Sequence, residues 1–328
     1  MFLQPDEPGL LRAAALLRAG EIVAVPTETV YGLAANALDE RAVRKIFEAK
    51  GRPFIDPLIV HVADRAMAEA LAEPSPLLDI LAARFWPGPL TVVLRKRPCV
   101  PDLVTAGEPT VALRMPAHPV MRELIARSGL PLAAPSANPF GYVSPTTAQH
   151  VRESLGERAP HILDGGACAH GVESTIVHLA DPAGVRLLRP GPVTQDELEA
   201  ALGVPVLPAP SHMDQKAAQA APGMLDRHYS PHTPLILRTA GSAAQVPAGF
   251  SGRVAVVHLA RPAEPHPTSA EHFWFSESGD LAEVARSLFA LLRHLDAQGF
   301  AVILAEAAPP GGLGDAINDR LKRAAAKR

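Results

Sequence analysis

The first two hundred residues alternate short apolar runs with stretches of helical periodicity. Residues 9–19, GLLRAAALLRA, repeat apolar positions at helical spacing, and Gly20 follows as a C-terminal cap. EIVAVP, 21–26, then reads as a buried strand that Pro26 ends, since proline has no amide for the ladder. Asp39 can cap a helix running through Lys45, Phe47 and Lys50. Strands are predicted at 58–62, 90–96, 110–115, 131–134, 174–179 and 185–189, with helices between several of them. One helix is expected after Ser144 and another after Thr194, where Thr194-Gln-Asp-Glu197 fits a capping box. The pattern predicts a mixed α/β domain over residues 1–203.

Periodicity then stops. Residues 204–224 are rich in proline and alanine, and 204–233 as a whole reads as a linker. Beyond it, 234–238, 253–259 and 300–307 look like buried parallel strands, with helical stretches at 280–297 and 313–327. A smaller three-layer α/β domain over 234–328 is expected. A length of 328 residues accommodates both units.

Composition narrows the class. With 48% hydrophobic and 20% charged residues the chain is not a disordered one. A net charge of −3 supplies no bulk attraction to nucleic acid or anionic membrane, although a local basic patch stays open. Cys99 and Cys168 are the only cysteines, which argues against a disulfide framework or a cysteine-built zinc site. No apolar run approaches the ~20 residues a membrane span needs. The start, MFLQPDEPGLL, lacks a basic n-region and a long apolar stretch, so a reducing cytoplasm is the expected location.

Four segments carry polar residues that folding alone does not call for. Residues 25–37 place Thr27, Glu28 and Thr29 at a strand's carboxyl edge, where ligands often sit in open α/β sheets; plain capping uses the same residues. Lys50 and Arg52 flank a turn closed by Pro53, and two cations there suit a polyphosphate or, equally, a solvated helix end. His61 sits in an apolar strand. In 131–151, Ser136 and Asn138 offer directed hydrogen bonds amid small residues, and a helix starting after Ser144 could hold a phosphate; turn chemistry draws on the same set. In 162–193, glycines precede Glu173, Ser174 and Thr175, and Arg189 ends a strand as a phosphate ligand or a salt-bridge partner. The chain has no GxxxxGK[ST], no GxGxxG opening a helix, no HExxH and no GxSxG. His228 and His232 are four apart, but Pro231 spoils a helical metal pair.

Taken in order, PTETVYGL, KGRP…PLIVHV, FWPGPLT, LRMPAHP, APSAN, GVESTIV and RPG closely resemble the threonylcarbamoyl-AMP synthase family with its YrdC-like fold. PGMLDRHYSPHTPL and GGLGDAINDRLKRAA resemble the family's two-domain form, whose linker lies over the active site. The resemblance implies a twisted, open mixed sheet with a concave cavity. It implies that L-threonine, bicarbonate or CO2, and ATP with Mg2+ become threonylcarbamoyl-AMP and pyrophosphate. A downstream transferase machinery would then modify an adenosine of tRNA. Position by position, Thr29, His61, Arg114, Ala134 and Ser174 match the threonine contacts, with Arg114 on the carboxylate. Lys50, Arg52, Asp56, Thr110, Ser136, Asn138, Ser144, Arg189 and Tyr229 match the ATP contacts, and Lys50, Arg52, Ser136 and Asn138 are the signature set. Asp56 departs from the asparagine of many relatives, so this carboxylate must bind metal, accept a ribose hydroxyl or turn away. No protein-built metal site is implied. The linker is expected to act as a lid carrying Arg227, His228 and Tyr229.

Two rivals remain. An RNA-binding module would shift tRNA in a salt-sensitive way without ATP turnover, but the net charge and the lack of an aromatic RNA motif do not indicate direct tRNA binding. A related carbamoyl-handling enzyme would usually carry acylphosphatase-like or zinc-finger modules, which the sequence does not show.

Overall fold

A computed structural model describes residues 1–209, 217–224, 228–239, 242, 250–263 and 270–326. The larger sheet contains β1 (Phe2–Leu3), β2 (Val23–Val25), β3 (Gly32–Asn36), β4 (Ile59–His61), β5 (Leu90–Arg95), β6 (Thr110–Arg114), β7 (Leu132–Ala133), β8 (His161–Leu163), β9 (Thr175–His178) and β10 (Arg186–Arg189). Their order is β1-β8-β2-β3-β7-β4-β6-β5-β9-β10, with parallel and antiparallel neighbours mixed. Around it lie helices α1 (Glu7–Arg18), α2 (Glu40–Lys50), α3 (Arg65–Leu71), α4 (Pro76–Phe85), α5 (Asp102–Thr105), α6 (Pro119–Ser128), α7 (Ala148–Leu155) and α8 (Gln195–Leu202). The smaller sheet, β11 (Leu235–Arg238), β12 (Val254–Ala260), β13 (Glu271–Ser276) and β14 (Val302–Glu306), is parallel throughout, in the order β11-β14-β12-β13. Helices α9 (Leu281–Asp296) and α10 (Leu313–Ala324) pack on one of its faces.

Local chemistry explains the helix ends. Asp39 caps α2 by accepting from the Arg41 amide, Gly51 closes it in the left-handed region, and Thr194 with Glu197 completes the capping box of α8. The helix expected directly after Ser144 begins later. Its cap is Thr147, because Pro145 intervenes and the Ser144 hydroxyl is donated to Glu173 instead.

Alternation along the strands divides the larger sheet into two faces. Val60, Val111, Leu113, Val92 and Val177 point into a core shared with α2, α4 and α8. On the opposite face, α1 and α6 cover Val23, Val25, Ala34 and Leu132. Further along that face, Ala221 and Met224 of the linker cover Ile59, Val93, Ala112 and Ile176. The functional cavity lies on this second face. Among the described residues, no helix is long and apolar enough to cross a membrane.

Candidate functional site

The cavity is floored by Ile59, His61 and Arg114 of the sheet and walled by the segments that follow β2 and β7. Register explains which side chains enter it. His61 and Arg114 are paired positions on adjacent parallel strands, each facing opposite to its core-facing neighbour. Gly32 gives the floor its depth, because a Cβ there would stand 3.1 Å from that of Ala134.

Thr27 folds the segment after β2 into a tight turn, its hydroxyl accepting the amides of Thr29 and Val30 at 3.1 and 3.2 Å. The turn aims Thr29 at Arg114, whose Nη1 donates to Thr29 Oγ1 at 2.9 Å. Arg114 Nη2 donates to Glu28 Oε1 at 2.6 Å, so the carboxylate read at the strand end is the arginine's buried partner. Burial raises the Glu28 pKa, but the charge and hydrogen bond of Arg114 outweigh it and bring the group down to about 2. Ser174 shares a hydrogen bond with Thr91 at 2.8 Å and accepts from Arg189 Nη2 at 3.1 Å. All five residues of the threonine set line the cavity.

The ATP set divides. Arg52, Ser136, Arg189 and Tyr229 line the cavity. Lys50 stands behind its wall, with Nζ donating to the carbonyls of Ser136 at 2.5 Å and Asn138 at 2.6 Å. It therefore shapes the 136–138 backbone rather than adding a second cation to the cavity surface. Asn138 braces the same loop through the Pro139 and Tyr142 carbonyls. Asp56 is fully buried, pairs with Arg52 Nη2 at 2.9 Å and does not line the cavity. Ser144 is likewise behind the wall, held on Glu173. Thr110 does not line the cavity: it opens β6, about 13 Å along the strand from Arg114.

Glu173, Pro222, Gly223 and His228 also line it. The linker thus supplies one wall through Pro222, Gly223, His228 and Tyr229, whereas Arg227 lies outside the described residues. Tyr229 adopts φ 61, a conformation that costs a tyrosine about 1–3 kcal/mol and persists only under surrounding constraint. Its hydroxyl, His61 Nδ1 and His228 Nδ1 are buried without a hydrogen-bond partner. Buried polar atoms are normally paired, and these three belong to residues that line one cavity.

Burial, and then the charge of Arg114, push His61 down to about 3, so it is neutral at physiological pH. Unfolded, it titrates near 6.5. Between those values the unfolded chain binds more protons, so stability falls as pH drops, by up to about 1.4 kcal/mol per unit for this group. Urea titrations from pH 7 to 4 should show a shallower decline in His61→Asn; an unchanged slope would refute the neutral histidine.

Residues 15–191 match the Sua5_yciO_yrdC family, described as telomere recombination, and 193–326 match the threonylcarbamoyl-AMP synthase C-terminal domain. The chain is 44% identical to threonylcarbamoyl-AMP synthase of Bacillus subtilis, over 99% of its own length and 95% of that protein. It belongs to the threonylcarbamoyl-AMP synthase family. Membership makes it an enzyme of the nucleotidyltransferase type. The crystal structure of Pyrococcus abyssi Sua5 complexed with L-threonine superposes with a TM-score of 0.88 at 39% identity, covering 99% of this chain and 97% of that one. Escherichia coli YciO, at 19% identity and a TM-score of 0.50 over 58% of this chain, shares the YrdC-like fold.

Proposed function

We propose that the chain converts L-threonine, CO2 or bicarbonate, and ATP into L-threonylcarbamoyl-AMP and pyrophosphate, for transfer to tRNA by a separate machinery in the cytoplasm. The observation that carries this reading is the convergence of all five threonine-set residues with Arg52, Ser136 and Arg189 in one cavity. The threonine complex of the P. abyssi relative supports the amino-acid half.

In this scheme the amino-acid carboxylate meets the Arg114 guanidinium, which keeps N–H groups beyond those donated to Glu28, Thr29 and Gly88. Thr29, Ser174 and neutral His61 bind the polar atoms of threonine without adding charge. The amine nitrogen attacks CO2 and loses a proton, giving a carbamate. A carbamate oxygen attacks the α-phosphorus of ATP, and pyrophosphate leaves. Arg52 and Arg189, both buried, offset phosphate charge, so positioning and electrostatics supply the catalysis. Mg2+ accompanies ATP as the substrate's counter-ion. Among the described residues there is no cluster of three or more His, Cys, Asp or Glu that could hold a metal ion.

The direct test is pyrophosphate release from Mg-ATP, with threonine or bicarbonate omitted in turn. Release should require both. Release independent of threonine, or none with all three substrates present, would overturn the assignment.

A further inference from the structure

One wall of the cavity is held from the other sheet. Arg320 of α10 is completely buried, and its Nε donates to Glu173 Oε2 at 2.8 Å. Nη2 reaches the Glu173 carbonyl at 3.4 Å, and Nη1 pairs with Asp319 at 2.7 Å. The guanidinium lies 5.3 Å from the centroid of the Tyr229 ring, on which Phe289 of α9 stacks at 5.5 Å. Glu173 passes the constraint on, accepting the Ser144 hydroxyl at 2.6 Å. Backbone contact fixes the same loop, since a Cβ on Gly171 would lie 2.4 Å from the Arg286 Cα of α9.

Apolar packing alone could join the two sheets. Val30, Val143, Val172 and Tyr229 already share a core with α9 and α10. A fully desolvated guanidinium is a costly addition to such a junction unless its orientation matters. Besides Asp319, its partners are Glu173, which lines the cavity beside Ser174, and Tyr229, which is held at positive φ. Taking the proposed reaction as its basis, we propose that Arg320 is a positioning residue. It sets Glu173 and Tyr229 from α10, so the cavity is incomplete without the C-terminal helix.

Full-length Arg320→Met, Glu173→Gln and their double variant test this, with Asp296→Ala as control. Asp296 holds the same junction away from the cavity, accepting from Tyr142 Oη at 2.8 Å and the Thr233 amide at 2.7 Å. In Arg320→Met, amide hydrogen exchange over residues 172–175 should accelerate about tenfold or more, and in Asp296→Ala it should not. Each single variant should lower kcat/KM for pyrophosphate release by about tenfold, with the double no worse than either single, because the two residues act as one unit. Unchanged exchange, or kinetic losses that multiply, would overturn the proposal. If Arg320→Met does not fold, Arg320→Lys, which keeps the charge and loses the planar fork, takes its place. Should the wild-type protein release no pyrophosphate, the functional reading fails and the exchange data alone decide the positioning role.

Discussion

Replacing Arg52 with alanine should reduce kcat/KM for pyrophosphate release by at least about a hundredfold, equivalent to about 2.7 kcal/mol of transition-state stabilisation. Arg52 faces the cavity while its Nε and Nη2 are fixed by the carbonyls of Asp56 at 2.9 Å and Pro57 at 2.7 Å. The cation is thus oriented before substrate arrives, which lets it offset phosphate charge without reorganisation. The substitution also strands Asp56, a fully buried carboxylate with Arg52 as its ion-pair partner. Losing one member of a buried pair costs roughly 3–5 kcal/mol of stability. The two effects separate experimentally. Arg52→Met combined with Asp56→Asn should recover much of the lost Tm and none of the turnover. Lys50→Met should act differently, through displacement of the 136–138 backbone that its Nζ now holds. A folded Arg52→Ala protein with wild-type kcat/KM would remove the arginine from the phosphate site.

Features encoded within a few residues were legible in the sequence. The caps at Asp39 and Thr194 were, because a cap is written in three or four adjacent positions. So were the apolar strands β2, β4, β5 and β6. β3 was not predicted: Gly-Leu-Ala-Ala-Asn has little β-propensity, and it becomes a strand because β2 and β7 pair with it on either side. β13 was missed for a related reason, its charged and polar ends masking three central aromatics. Ordered motifs picked out a threonine set whose five members line one cavity. They do not separate lining residues from those behind the wall, where Lys50, Asn138, Asp56 and Ser144 lie. The Arg320–Glu173 link joins residues 147 positions apart, and no local pattern reports it.

The Arg114–Glu28 pair yields the second large effect, and pH exposes it. In the wild-type protein Glu28 titrates at about 2 against an ordinary value of 4.5. Its contribution to stability is therefore present above pH 4.5 and lost as pH falls from there toward 2, about 3 kcal/mol in all by linkage. Arg114→Ala removes the lowering charge and leaves burial, the largest influence on this group, opposed by backbone hydrogen bonds alone, so the carboxyl pKa is expected above its ordinary value. The sign of the linkage then inverts. The folded variant takes up a proton before the unfolded chain does, so acidification relieves it where acidification harms the wild type. Measured in a His61→Asn background, which removes that histidine's own titration, Arg114→Ala should lose roughly 3–5 kcal/mol at pH 7 and less at pH 5. Adding Glu28→Gln should restore most of the stability at pH 7, while in Arg114→Ala/Glu28→Gln with His61 intact KM for threonine remains elevated by about tenfold or more, since the carboxylate-binding cation is still missing. Equal losses at both pH values would mean that Glu28 is not the group Arg114 holds ionised. Restored threonine affinity in that double variant would mean that Arg114 serves only to neutralise Glu28 and binds no substrate carboxylate.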